Sequence, residues 1–183
     1  MHKKRSFSFW KKFKNRKGFT MTEVVVVLSL LGILTAIAIP SFISWLPRHR
    51  LQTSARQIYD DINLAKIRAV KDNRNACIEF YPITETYTVF FDVDGIAGYL
   101  NGTDIPIKSN VPLENGVDIT GSNLTVNTCG FNNRGLLPNG FAPALVQGRV
   151  DLTNPTNRIL RINVNTAGGI SILTSTDGGV TWS

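Results

Sequence analysis

The hydrophobic pattern of this chain changes period twice. Between Phe19 and Ile39 runs a segment of 21 residues whose only charge is Glu23. As a helix rising ~1.5 Å per residue, it would span about 30 Å, the thickness of the hydrocarbon core of a bilayer. Beyond Pro47 the pattern becomes one-sided: Leu51, Ala55, Ile58, Ile62, Ala65 and Ala69 recur at alternating steps of four and three. That spacing predicts an amphipathic helix with a single apolar stripe, Arg56, Asp60, Asp61, Lys66 and Arg68 lying mostly on the remaining surface. Asp72 to Asn75 ends it. From Ala76 onward the runs shorten to strand length: ACIEFY and TYTVFF, joined by a PITE hairpin turn, then GVDIT, LTVNTCGF, ALVQGRVDL, RILRINV and GISIL, separated by Gly, Asn and Pro clusters. The chain thus divides into residues 1–18, 19–46, 47–75 and 76–183.

Two positions weaken the long helix, Gly32 and Pro40. A proline removes one backbone hydrogen bond and crowds the preceding turn, so a kink is expected between Ala36 and Pro40. Pro47 marks the point at which the chain should leave a membrane, with Trp45 suited to the interface.

Charge sharpens this division. The formal net charge of +7 suggests a nucleic-acid partner, but eight of the 20 Lys and Arg lie within residues 1–18, where no acidic residue accompanies them. From Phe19 onward 12 basic residues face 13 acidic ones. The basicity therefore belongs to a leader, and it reads as a cytoplasmic retention signal with the rest of the chain translocated. In an oxidising compartment Cys77 and Cys129 could form a disulfide, or remain as buried free thiols.

A basic leader before an apolar run has three readings. A cleaved secretory signal accounts for the charges and for Ala36-Ile37-Ala38 as an A-x-A site, but its apolar run is usually shorter, and Glu23 has no place in it. An inert signal anchor accounts for the length and leaves Glu23 unexplained. A carboxylate inside such a segment costs roughly 2.5–3.5 kcal/mol on insertion scales, so a chain that carries one generally uses it. The third reading comes from Arg16-Lys17-Gly18-Phe19-Thr20-Met21-Thr22-Glu23, which resembles the type III signal of type IV pilins and pseudopilins. The resemblance implies cleavage by prepilin peptidase between Gly18 and Phe19, N-methylation of Phe19, and pairing of Glu23 with the amino terminus of a neighbouring subunit during assembly. A new α-amino group, with a pKa near 8, would supply the cation that a carboxylate in lipid needs.

A narrower resemblance covers most of the remaining chain. The segment LAKIRAVKDNRNACIEFY, and FNNRGLLPNG followed by NRILRINVNTAGGISIL, are similar to the GspH/FimT-type minor pseudopilins and minor pilins. In Ala65-Lys66-Ile67-Arg68-Ala69 a lysine stands where that group more often has arginine, and Tyr99 to Asn123 matches the pattern poorly. The implied fold is α+β: a long N-terminal helix, its first half transmembrane, packed by its second half on antiparallel β-sheets.

Other chemistry is sparse. Asp92, Asp94 and Gly95, with Asp104 downstream, invite a calcium reading, but the fuller D-x-D-x-D-G spacing and a closing glutamate are missing. Solvated turn carboxylates account for them better. The two histidines are His2 in the leader and His49, and no nucleophilic or metal-ligand constellation occurs after the apolar run. The chain reads as a non-enzymatic subunit needing no cofactor. The resemblance implies as partners prepilin peptidase, other pilin or pseudopilin subunits, the inner-membrane assembly platform and membrane lipid. The alternative is a DNA-binding minor pilin at a pilus tip. Arg134, Arg149, Arg158 and Arg161 face only Asp151 and Asp177 between Gly130 and Ser183, although strand alternation puts Arg158 and Arg161 on opposite faces.

Overall fold

A computed structural model describes residues 18–93, 100–122, 124, 127–137 and 147–183. These fall into two compact units, one reaching to Ser41 and the other running from Phe42 to Ser183. Helix α1 (Met21–Asp72) supplies the first unit and opens the second, and its helical assignment continues through Pro40 and Pro47. Each proline lacks the N–H that would bond back one turn, so the ladder is one hydrogen bond short at each.

In the first unit the helix is apolar all round. None of its most apolar 18-residue window is buried, and Leu28, Leu31, Leu34 and Ile37 are all more than half exposed. In the second unit the same helix becomes one-sided. Leu51, Ala55, Ile58, Ile62, Ala65 and Ala69 are each no more than 1% exposed. The helix closes at Asn73, whose φ of 52° is left-handed, with the Arg74 N–H donating to the Ala69 carbonyl at 3.1 Å.

That stripe packs into a core shared by two four-stranded antiparallel sheets. The strands are β1 (Asn75–Tyr81), β2 (Thr86–Asp92), β3 (Ile105–Pro112), β4 (Asp118–Ser122), β5 (Thr128–Phe131), β6 (Gln147–Thr153), β7 (Ile159–Asn165) and β8 (Ile170–Ser175). The first sheet has the order β3-β2-β1-β5 and the second β4-β6-β7-β8. Ala76, Ile78 and Phe80 of β1, with Tyr87 and Val89 of β2 and Phe131 of β5, form the floor under the helix; Val150, Leu152, Leu160, Ile162 and Val164 do the same from the second sheet. This is the α+β arrangement that the sequence led us to expect.

Three sequence readings change. Strand β3 falls in the stretch that matches the family pattern poorly and gives no strand signal in sequence, because Pro106, Lys108 and Pro112 read as loop residues. It is an edge strand with irregular register against β2, and an edge tolerates a residue without an N–H. Among the described residues of the LTVNTCGF run, the strand is its last four, Thr128–Phe131. Asp61, placed with the surface residues, is instead buried beside Ile62. Its carboxylate accepts a hydrogen bond from the Tyr87 hydroxyl at 2.8 Å and pairs with the Lys108 ammonium, tying the helix to β2 and β3. Burial, then the hydrogen bond to Asp61, pushes the Tyr87 phenol well above its ordinary pKa.

Lys66 makes the second tie. Its ammonium donates to the Gly168 carbonyl at 2.7 Å, anchoring the helix to the β7–β8 turn. Gly168 has a φ of +75°, and a Cβ there would stand 2.1 Å from the Gly135 carbonyl oxygen. Gly168→Ala should therefore destabilise the domain by more than ~1 kcal/mol, and Asp61→Ala by about 1–3 kcal/mol through the orphaned Tyr87 hydroxyl and Lys108. Urea unfolding of the detergent-solubilised chain, followed by circular dichroism, measures both; a midpoint unchanged in the Asp61 variant would contradict the clamp.

Candidate assembly site

The amino end of helix α1 is built for a defined start. Thr20 precedes the first helical residue, and its hydroxyl oxygen accepts the Glu23 N–H at 3.2 Å while its carbonyl accepts the Val24 N–H at 3.2 Å. Thr20 is thus the N-cap, and Glu23 occupies the third helical position, where a carboxylate meets the positive end of the helix dipole. Thr20-x-x-Glu23 has the spacing of a capping box, a local reason for a glutamate that the sequence reading missed although the motif was legible. Gly18 and Phe19 lie just outside the helix and are exposed. The two hydroxyls next along the apolar surface are satisfied within the helix, Ser29 donating to the Val25 carbonyl and Thr35 to the Leu31 carbonyl. Glu23 is therefore the one ionisable group among residues 18–46 of a helix that shows apolar side chains on every side.

The cysteines lie on neighbouring strands but on opposite faces. Cys77 is paired with Gly130 and Cys129 with Ile78, so the one-residue offset turns the two side chains away from each other. Cys129 belongs to the main core, whereas Cys77 packs with Phe90 and Leu100 on the other side of the sheet. Both are free thiols, and a Cys77–Cys129 disulfide fails on side-chain direction, which sequence does not reveal. Burial pushes the Cys129 thiol up to about 12. Burial and the neighbouring Asp92 carboxylate raise Cys77 well above its ordinary value.

Asp94 lies outside the described residues. Asp104 is engaged in shaping its own loop: its carboxylate accepts the backbone N–H groups of Val93 and Asn101, both at 3.0 Å. Among the described residues no three His, Cys, Asp or Glu side chains gather where they could hold a metal ion.

The arginines divide by environment. Arg161 and Asp151 are register partners on β7 and β6, and the guanidinium grips the carboxylate in two hydrogen bonds of 2.7 and 2.8 Å. Its other side lies over the Trp182 ring, 3.7 Å from the centroid. The Asp151 hydrogen bonds hold its pKa above the usual value, and its charge is locally neutralised. Arg149, paired with Asn163, shares that outer face of the second sheet and is exposed. Arg158 precedes β7, with its backbone N–H bonded to the Asn154 side chain across the β6–β7 turn. Arg134 sits in the turn after β5, where its N–H donates to the Asn132 side chain. The four do not converge.

A capped apolar helix, uncovered in its first part and one-sided in its second, leading into two antiparallel sheets, defines a pilin-like subunit. The profile described as type II transport protein GspH matches residues 54–168, and the prokaryotic N-terminal methylation motif matches residues 13–39. The chain belongs to the type II transport protein GspH family, within the minor pilins and pseudopilins. Among solved structures, the type IV minor pilin FimU of Pseudomonas aeruginosa (strain PAO1) is similar at 16% identity and a TM-score of 0.50, over 68% of this chain and 89% of that one. The minor pseudopilin EpsH from the type 2 secretion system of Vibrio cholerae is similar at 12% identity and a TM-score of 0.47, over 68% and 97%. Among curated proteins, none matches this chain in sequence.

With both thiols buried and un-ionised, the native chain at pH 8 should resist iodoacetamide for hours, and denaturation without reductant should release two titratable thiols. Release of none would establish the disulfide and overturn the β1–β5 register.

Proposed function

We propose that this chain is a minor filament subunit, made as a precursor, cut by prepilin peptidase after Gly18, N-methylated at Phe19 and assembled through helix α1 into a type II secretion pseudopilus or a type IV pilus. The observation that carries this reading is the methylation motif over residues 13–39, set directly on an apolar helix that buries none of its most apolar window. Such a surface has two stable surroundings, lipid before assembly and the helices of other subunits after it. Residues 1–18 stay in the cytoplasm with their eight cations, and the sheet-bearing domain is translocated to the periplasm.

Glu23 is the register device. In lipid its carboxylate is costly, and the positive end of the helix dipole offsets only a part of that cost. The methylated α-amino group of a neighbouring Phe19 offers a full positive charge, and a close pair in the filament recovers what each group loses on leaving water. The chain itself performs no catalysis in this scheme. DNA binding at a pilus tip has weaker support: Arg161 is engaged by Asp151, and Arg149, Arg158 and Arg134 lie apart.

Intact-mass measurement of the protein extracted from cells should give a chain beginning at Phe19 with one added methyl group. An intact leader, or a start at Ile39, would refute the processing step. Glu23→Ala should leave cleavage largely intact while lowering incorporation into sheared filaments by at least about tenfold, the factor that ~1.4 kcal/mol of lost pairing produces; normal incorporation would refute the pairing role. Photo-crosslinking from the exported domain, with partners identified by mass spectrometry, should recover other pilin-like subunits.

A further inference from the structure

The segment Phe42–Arg50 carries a set of side chains to which the proposed function gives no role. Phe42 and Trp45 lie with ring centroids 5.8 Å apart, and Trp45 stacks on His49 at 4.5 Å with an interplanar angle of 15°. Phe42 is 58% and Trp45 49% exposed, so this aromatic ladder stands open to its surroundings. Arg48 is exposed beside it, and Arg50 reaches to the Asn115 carbonyl at 3.2 Å. A third arginine joins them from the sheet domain. The Asn154 side chain donates to the Pro47 carbonyl at 3.2 Å and accepts the Arg158 N–H at 3.1 Å. One amide therefore brings the backbone of Arg158 alongside the helix at Pro47. Among the described residues, neither the Arg48 nor the Arg158 guanidinium has an ion-pair partner. Glu114 and Asp118 flank the loop that Arg50 touches, and Asp118 stands beside Glu85 at the β1–β2 turn.

We infer that Trp45, His49, Arg48 and Arg158 form a collar that binds the phosphate headgroups of anionic phospholipid in the outer leaflet of the membrane from which the domain emerges. The inference rests on the membrane-anchored reading above. Aromatic rings of this kind settle at headgroup depth, and arginine forks match phosphate oxygens. Cations on the translocated side run against the usual charge asymmetry of membrane proteins, which makes a specific use for them more pressing. In sequence Arg158 groups with the candidate DNA contacts; the Asn154 bridge moves it to the end of the domain where the apolar helix enters. Such a collar would hold the subunit at a fixed depth before assembly and let go as headgroups are exchanged for neighbouring subunits.

The full chain isolated from cells, reconstituted in phosphatidylcholine vesicles and probed with spin-labelled lipids, tests this. Phosphatidylglycerol should be restricted by the protein in preference to phosphatidylcholine by roughly fivefold per engaged arginine, and the preference should fall toward parity at about 1 M salt. Combining Arg48→Gln with Arg158→Gln should remove most of it while leaving incorporation and circular dichroism unchanged. Equal restriction of both lipids in the wild type, or a preference unaltered by the double substitution, would overturn the collar. So would binding of duplex DNA that depends on the same two arginines in a protein without lipid preference. Failure to enter the vesicles would instead remove the membrane anchoring on which the inference depends.

Discussion

Six side chains on one helix face hold the second unit together. Leu51, Ala55, Ile58, Ile62, Ala65 and Ala69 are the apolar surface that α1 buries against both sheets, and each is essentially without solvent contact. Three of the six are alanines, and the core they share holds Phe80, Tyr87 and Phe131, three of the largest fully buried rings on the sheet side. Small residues on the helix and large ones on the sheet interdigitate, as close packing demands. The polar ties follow from the same approach. Asp61 reaches Tyr87 and Lys108, and Lys66 the Gly168 carbonyl, from the same stretch of helix that carries the apolar stripe.

The same helix meets the opposite requirement before Ser41, where no sheet covers it. Water is a poor surrounding for a cylinder of valine, leucine and isoleucine, so function for this segment means finding lipid or other helices. Family membership and physical chemistry converge here. A methylation motif runs into the apolar helix, and the first turn presents a carboxylate at a capped helix start. Glu23 is suited to two roles that do not compete, a local one at the positive end of the helix dipole and an intermolecular one toward a cation.

Much of the first half was legible in the sequence because its signals are local. The apolar run, the cap, the one-sided stripe and the leader's charge each depend on residues within a few turns of one another. The β-domain was harder to read. Strand β1 was legible from its β-rich composition alone: it is buried on both faces, with Cys77 and the neighbouring Phe90 against Leu100 and Ile78 and Phe80 in the main core, so the polar–apolar alternation that marks a half-exposed strand is absent. Strand β3 carries two prolines and a lysine and reads as loop; only its place at the edge of the sheet makes it a strand.

Hydrophobicity and period act over short stretches, so residue order alone settles which segment is long and apolar enough to cross a membrane and which face of the following helix seeks a core. Everything that depends on register waits for the folded domain. Strand pairing turned Cys77 and Cys129 to opposite faces and set Arg161 against Asp151 across a hairpin. Packing drew Asp61 inward and used Asn154 to bring Arg158 beside Pro47, 111 positions away in the chain. Each of these is a contact between residues brought together by folding, and a shift of one position in strand pairing would reverse the face on which every such strand side chain appears.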